Sequence, residues 1–361
     1  MKLCLSTGAK IKTLEQFSTG LTTIPASAGW YLNDLGVAVG RQQLFTRQSP
    51  QRLKVLREHA LIESAVSSNR IEGVEIDAKR IGTVLFGKPA LKDREEEEVR
   101  GYRRALDLIH TRGANLEISE RTIKHLHQLS RGQIWDAGKY RLQDADIIEK
   151  YPDGRQRIRF KPPAADQAPK AMKDLVRAWQ ACAKEKWAAG PVALAALNLD
   201  FLCIHPFRDG NGRASRLLLL LGSYHIGMEV GRYISLERLI EQNKDRYYQT
   251  LEASSKGWHE GKHNPWPFIN HILYILNSAY VEFENRIGKT AEPKGAKAQL
   301  VRDAVRSLTG EFRLIDIERD CPGVGRDWIR SVLAEMRREG KVTCHGRGPA
   351  ARWRNEGSTP K

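Results

Sequence analysis

Cysteine is scarce in this 361-residue chain and poorly placed for chemistry. Cys4, Cys182, Cys203, Cys321 and Cys344 are odd in number, scattered and without a CxxC pair, which argues against both a disulfide framework and a cysteine-built zinc site. Long apolar runs are lacking too. The longest aliphatic stretch near the centre is Leu217 to Leu221, far short of the roughly 20 residues of a membrane-spanning helix, and the N-terminus lacks a basic stretch followed by an apolar one. The expectation is a soluble, cytoplasmic protein with no membrane partner. There is no internal repeat, and low complexity is confined to short patches such as the acidic run Glu95 to Glu98. Acidic residues are in deficit, 43 against 59 lysines and arginines, for a formal charge of +16. Such a chain favours anionic partners, and charge alone does not choose among nucleotides, nucleic acid and acidic proteins.

What is present is mostly helix. With 41% apolar residues the chain can build two or three domains around a sizeable core. Between Pro50 and Gly73 the positions Leu53, Leu56, Ala60, Ile62, Ala65 and Ile71 fall roughly on a helical period, with Gly73 as the C-terminal cap. Further helices are expected over 96–111, 119–134, 169–189, 192–204, 214–222, 236–255 and 267–286. Tyr140–Ile148 and Gln156–Phe160 flank Tyr151, Pro152, Asp153 and Gly154, a turn signal that predicts one β-hairpin. Residues 288–295, with Pro293, read as a linker. After it, helices over 299–308, 314–320 and 326–338 and strands over 341–344 and 351–353, with a tip at Gly346 to Pro349, predict a winged helix-turn-helix. Arg326, Arg330, Arg337 and Arg338 on its third helix and Arg347 at the tip suit DNA. The expected domains are an N-terminal helical region (1–112), a helical core with the hairpin (113–288) and the small C-terminal module (296–355).

The chemistry is concentrated in His205 to Arg216, HPFRDGNGRASR. Gly210, Asn211 and Gly212 in a row before a helix leave backbone N–H groups exposed as an anion nest suited to phosphates. Arg213 and Arg216, three residues apart, can share a face above that nest. Asp209 is a hard oxygen ligand suited to Mg²⁺. His205 is the side chain whose ordinary pKa suits proton abstraction near neutrality.

This segment matches the motif HPFx[DE]GNGRxxR at every defined position, and the chain therefore resembles the Fic family of protein adenylyltransferases. The resemblance implies a mainly α fold, a helical Fic core with a β-hairpin flap, and transfer of AMP from ATP to a Ser, Thr or Tyr hydroxyl. By resemblance, His205 deprotonates the acceptor, Phe207 packs inside, and Asp209 holds Mg²⁺ or Mn²⁺. Gly210, Asn211 and Gly212 cradle the phosphates, and Arg213 and Arg216 bind the β- and γ-phosphates. Glycine at 212 favours adenylyl transfer, because the related phosphotransferase branch carries lysine there. Downstream, YISLERLIEQNKDRYYQTL resembles the adenosine-side helices, with Tyr247, Tyr248 and Leu251 for the base and ribose. Upstream, Ser68 to Gly73 fits the family's inhibitory pattern [ST]xxxE[GN], which implies that Glu72 forms a two-pronged pair with Arg216, next to Ser68 and Gly73. Asn198 departs from relatives that carry histidine there. The partners implied are a target protein held as an added strand on the 140–160 flap, DNA at the C-terminal module, and a second copy of the chain as the alternative to a monomer. Two other readings stay open: a DNA-binding regulator with a nucleotide-sensing core, and removal of AMP through water activated by Glu72.

Overall fold

The computed structural model describes residues 12–18, 23–46, 50–87, 91–150, 153–288, 296–308, 310–321, 324–346, 348 and 351–356. Tyr151 and Pro152 of the expected turn, nearly all of the 288–295 linker, Arg347, Pro349 and Cys4 lie outside them. The chain forms two compact units, residues 1–287 and 288–361.

In the first unit, α1 (Lys12–Phe17), α2 (Ala26–Thr46), α3 (Pro50–Ile71), α4 (Ile81–Phe86), α5 (Arg94–Arg112) and α6 (Glu120–Arg131) precede a hairpin of β1 (Ile147–Lys150) and β2 (Gln156–Phe160). Then follow α7 (Ala168–Glu185), α8 (Gly190–Ile204), α9 (Asn211–His225), α10 (Leu236–Gln242), α11 (Lys244–Ser255) and α12 (Trp266–Gly288). At the centre are α8 and α9. From Val192 to Ile204 every side chain is buried, as the unbroken sequence VALAALNLDFLCI requires of a helix enclosed on all sides. Asn198 is buried in that helix, and its amide donates to the Ser215 carbonyl of α9 at 2.7 Å, so the departure from histidine is absorbed by one hydrogen bond between the central helices. Other helices begin on capping side chains: Asp93 accepts from Glu96 N before α5, and Ser119 accepts from Thr122 N before α6.

Several expectations are corrected. The helix expected over 236–255 is two, because the Asn243 side chain takes the Leu239 carbonyl and its backbone leaves helical geometry there. The strand expected over 140–148 begins only at Ile147; Tyr140 instead makes an isolated bridge to Phe207. The helix expected to reach residue 73 ends at Ile71, and Gly73 turns the chain away at φ 82°. Helices α1, α2 and α4 have no counterpart in the sequence reading. Among the described residues, no helix is long and apolar enough to cross a membrane. The four described cysteines are free, three of them buried.

The second unit comprises α13 (Ala296–Ser307), β3 (Glu311–Phe312), α14 (Leu314–Asp320), α15 (Arg326–Arg338), β4 (Val342–His345) and β5 (Arg352–Asn355), with strand order β3-β5-β4. Val301, Val305, Phe312, Ile317, Ile329, Leu333 and Val342 form its core. The short strand β3 was not anticipated.

Candidate active site

The loop from His205 to Gly210 joins the two central helices, and both of its ends are left-handed, at φ 48° and 79°. Asn211 closes it. Its Oδ1 accepts from Phe207 N at 2.9 Å and its Nδ2 donates to Phe207 O at 2.8 Å. Gly210 admits no side chain, because a Cβ there would press on Arg131 and His127. Phe207 is fully buried, stacked on the His127 ring at 3.7 Å. Phe207 and the Asn211 side chain therefore brace the loop from within instead of facing a ligand.

Three residues that the sequence reading did not single out complete this brace. His127 Nδ1 accepts from Gly138 N at 2.9 Å, so its Nε2–H donates to the Asp209 carbonyl at 2.8 Å. Burial pushes its pKa down to about 4, so it is neutral, as this bonding pattern requires. Buried Arg141 donates from Nε to the His205 carbonyl at 2.9 Å and from Nη2 to the Pro163 carbonyl, while its backbone N–H reaches the Pro206 carbonyl at 2.9 Å. Glu98 is a buried hub for Arg131 at 2.5 Å and Arg213 at 2.6 Å. It belongs to the acidic run that looked like low complexity.

Above the loop lies a cavity of about 320 Å³. His205, Gly212, Arg216 and Glu72 line one end; Tyr247, Tyr248 and Leu251 line a wall, and Ile147, Ile148 and Phe160 of the hairpin contribute as well. Strand β2 is tied down beside it, since Arg159 donates to the Tyr248 carbonyl at 2.9 Å and Arg157 pairs with Glu252 at 3.0 Å. Burial, with the Arg141 charge adding to it, pushes His205 down to about 4. Its imidazole is thus neutral and able to accept a proton at pH 7, and an anion bound beside it would strengthen it as a base.

The two arginines of the motif part company. Arg213 is held by Glu98 and by Asn69 Oδ1 at 3.1 Å, away from the cavity, so the shared face expected from spacing is not formed. Arg216 does line the cavity, with its side chain 2% exposed. Its Nε donates to Ser68 Oγ at 2.8 Å, and its Nη2 to Ser68 O at 2.9 Å and Glu72 Oε1 at 2.8 Å. Burial opposes its charge, and the Glu72 carboxylate together with Tyr102, Tyr247 and Tyr248 outweighs that, so its pKa is raised. The pair is a single Nη2–Oε1 contact and not the two-pronged one expected; Ser68 supplies the rest of the grip. Ser68, Asn69 and Glu72 are all docked on α9 by arginines. Glu72 Oε1 stands directly over Gly212, where any Cβ would collide with it.

Asp209 lies at the loop's outer edge, 54% exposed. Its Oδ1 accepts from Gly210 N at 2.6 Å and its Oδ2 faces Arg131 at 3.0 Å. Burial alone would raise its pKa; Arg131 and Arg213 outweigh that and lower it. Among the described residues no group of three or more His, Cys, Asp or Glu side chains could hold a metal. One ionised, half-exposed carboxylate beside the Gly210–Gly212 backbone does fit a Mg²⁺ whose other ligands are phosphate oxygens and water.

Residues 117–221, which contain this loop, match the Fic/DOC family. Among curated proteins, the protein adenylyltransferase Fic of Nematostella vectensis is 27% identical over 214 residues, covering 55% of this chain and 44% of that one. A Fido domain-containing protein of Dictyostelium discoideum is 34% identical over 101 residues, 27% of this chain and 62% of its own length. The chain thus spans less than two thirds of either relative. In fold it is similar to a Fic family protein from Desulfovibrio desulfuricans, with TM-score 0.61, 22% identity, and coverage of 94% of this chain and 99% of that one. It is also similar to a Fic domain containing signaling protein from Bacteroides thetaiotaomicron, with TM-score 0.58, 19% identity, and coverage of 72% and 98%.

Proposed function

We propose that this chain is a protein adenylyltransferase: it transfers AMP from ATP to a Ser, Thr or Tyr hydroxyl of a target protein and of itself, and Glu72 restrains it. The observation that carries the reading is that His205, Gly212, Arg216 and Glu72 line a single cavity together with Tyr247, Tyr248 and Leu251. In the proposed reaction the acceptor oxygen attacks Pα and its proton passes to neutral His205. The Pα–O bond to the β-phosphate breaks, and pyrophosphate leaves with the electron pair. The Gly210–Gly212 backbone cradles the phosphates, Tyr247, Tyr248 and Leu251 take the adenosine, and Arg216 grips the γ-phosphate once Glu72 releases it. Asp209 would hold Mg²⁺ or Mn²⁺, which neutralises phosphate charge. The naming of a relative as an adenylyltransferase supports the same class.

The test is label transfer. ATP labelled in the α-phosphate should leave label on protein, and ATP labelled in the γ-phosphate should not; the opposite pattern would make the reaction phosphoryl transfer.

A second activity is proposed for the C-terminal unit. Helix α15 buries Ile329, Val332, Leu333 and Met336 and exposes Arg326, Arg330, Arg337 and Arg338, the arrangement of a DNA-reading helix. Binding to duplex DNA that weakens steeply with salt supports it; no retention at low salt removes it.

A further inference from the structure

The catalytic loop is bracketed by large apolar side chains that neither the core nor the proposed chemistry uses. Trp135 is 65% exposed and Leu142 is 89% exposed. Both are fixed to the loop through their neighbours. Leu142 follows Arg141, whose backbone and guanidinium hold the Pro206 and His205 carbonyls. The guanidinium of Arg208, which follows Phe207, lies 5.5 Å over the Trp135 ring. Trp135 and Leu142 leave apolar surface in water beside the loop, and a ligand that covers it gains from its burial.

Basic side chains stand beside Trp135. The Arg208 side chain is 66% exposed and reaches Asp136 only at 4.0 Å, where that carboxylate is itself mostly buried. Lys139, in the same turn as Trp135, is exposed as well. The carboxylates nearby are engaged: Asp144 faces Arg141 at 3.7 Å and Asp209 faces Arg131 at 3.0 Å. A guanidinium stacked on an indole presents an apolar plate and a directional donor together, which fits a carboxylate next to an aromatic or aliphatic side chain.

We infer that Trp135, Arg208 and Leu142 form the docking surface for the acceptor, and that the acceptor is a protein segment whose target hydroxyl is flanked by a large apolar residue and a carboxylate. This rests on the transferase reading above. The hydroxyl must reach His205, so residues on either side of it must pass over the two flanks of the loop. Trp135 with Arg208, and Leu142 beside Arg141, stand next to that path. These side chains touch the acceptor away from the reacting atoms, so they govern its capture and not the chemical step.

The experiment uses the full chain carrying Glu72→Gly and a peptide library with a fixed Ser, Thr or Tyr and degenerate flanks. Labelled peptides should be enriched in Asp or Glu and in aromatic or large aliphatic residues. For the best peptide, Trp135→Ala and Arg208→Ala should each raise KM about tenfold, as truncation of an aromatic or arginine anchor does, with kcat and ATP affinity within about twofold. Arg208→Glu should shift the preference towards basic flanks. Labelling without flank preference, or unchanged KM in both alanine variants, overturns the docking surface while leaving the transferase standing. If the Glu72→Gly chain labels neither peptides nor itself, the transferase reading fails and this inference falls with it.

Discussion

Replacing Glu72 with glycine should raise the proposed transfer activity and, without nucleotide, cost the chain stability. Arg216 is held by Ser68 Oγ, Ser68 O and Glu72 Oε1 at 2.8 to 2.9 Å, and Glu72 is the only charged one of these contacts. With Arg216 2% and Glu72 28% exposed, the contact lies between a surface ion pair worth about 0 to 1 kcal/mol and a fully buried one. A charge-assisted hydrogen bond of this kind biases the equilibrium by about 2 to 3 kcal/mol. On the proposed mechanism ATP must win Arg216 from Glu72 before its γ-phosphate seats, so initial rates of self-labelling should rise roughly 30-fold to 150-fold in the variant. The same removal leaves a buried guanidinium without its counter-charge. The nucleotide-free variant should therefore melt lower than the wild type, and ATP should raise its melting temperature more. Initial rates at saturating ATP and melting curves with and without ATP are the assays. Equal labelling rates in two folded proteins would refute the restraint, and an equal response to ATP would show that Glu72 does not compete for Arg216.

Removing the imidazole in His205→Ala should lower transfer about 10²-fold to 10⁴-fold while ATP binding persists, as read by labelling beside calorimetric titration. Because burial holds His205 near 4, the acid limb of kcat/KM should fall at about that pH; a limb near the ordinary histidine value of 6.5 would contradict its burial. His127 is depressed alike. A histidine whose folded pKa is lowered binds more protons unfolded, so stability from both is full above about 6.5 and is lost as pH falls towards 4, which denaturant midpoints across that window would report. Transfer should stop in excess EDTA and in Asp209→Ala, and unchanged turnover in either would remove the metal. A chain ending at Ile287, the limit of the first compact unit, should keep self-labelling; if it folds but does not label, the C-terminal unit belongs to the catalytic machinery.

Local chemistry was legible in the sequence, and contacts between distant segments were not. The HPFRDGNGR run placed the loop between two helices because its glycines and proline act on neighbouring backbone, and Gly73 announced the turn after Glu72 for the same reason. The expectation failed where a remote partner decides. Arg213 turns to Glu98 and Asn69, 115 and 144 residues earlier, and spacing on its own helix cannot foresee that. His127 and Arg141 brace the loop from 60 or more residues away. The acidic run Glu95 to Glu98 concealed the hub of the arginine network because a surface stripe and a buried cluster share one composition. Asn243 split a helix whose apolar period runs on, since periodicity does not register a side chain that competes for a backbone carbonyl.

The most direct test of the account is the intact mass of the full chain after incubation with ATP and Mg²⁺, followed by fragmentation to locate any adduct. The Glu72→Gly protein should gain the mass of AMP on a Ser, Thr or Tyr hydroxyl, and Glu72→Gly with His205→Ala should gain none. An unmodified Glu72→Gly protein, or an equal adduct in the chain lacking His205, would contradict it.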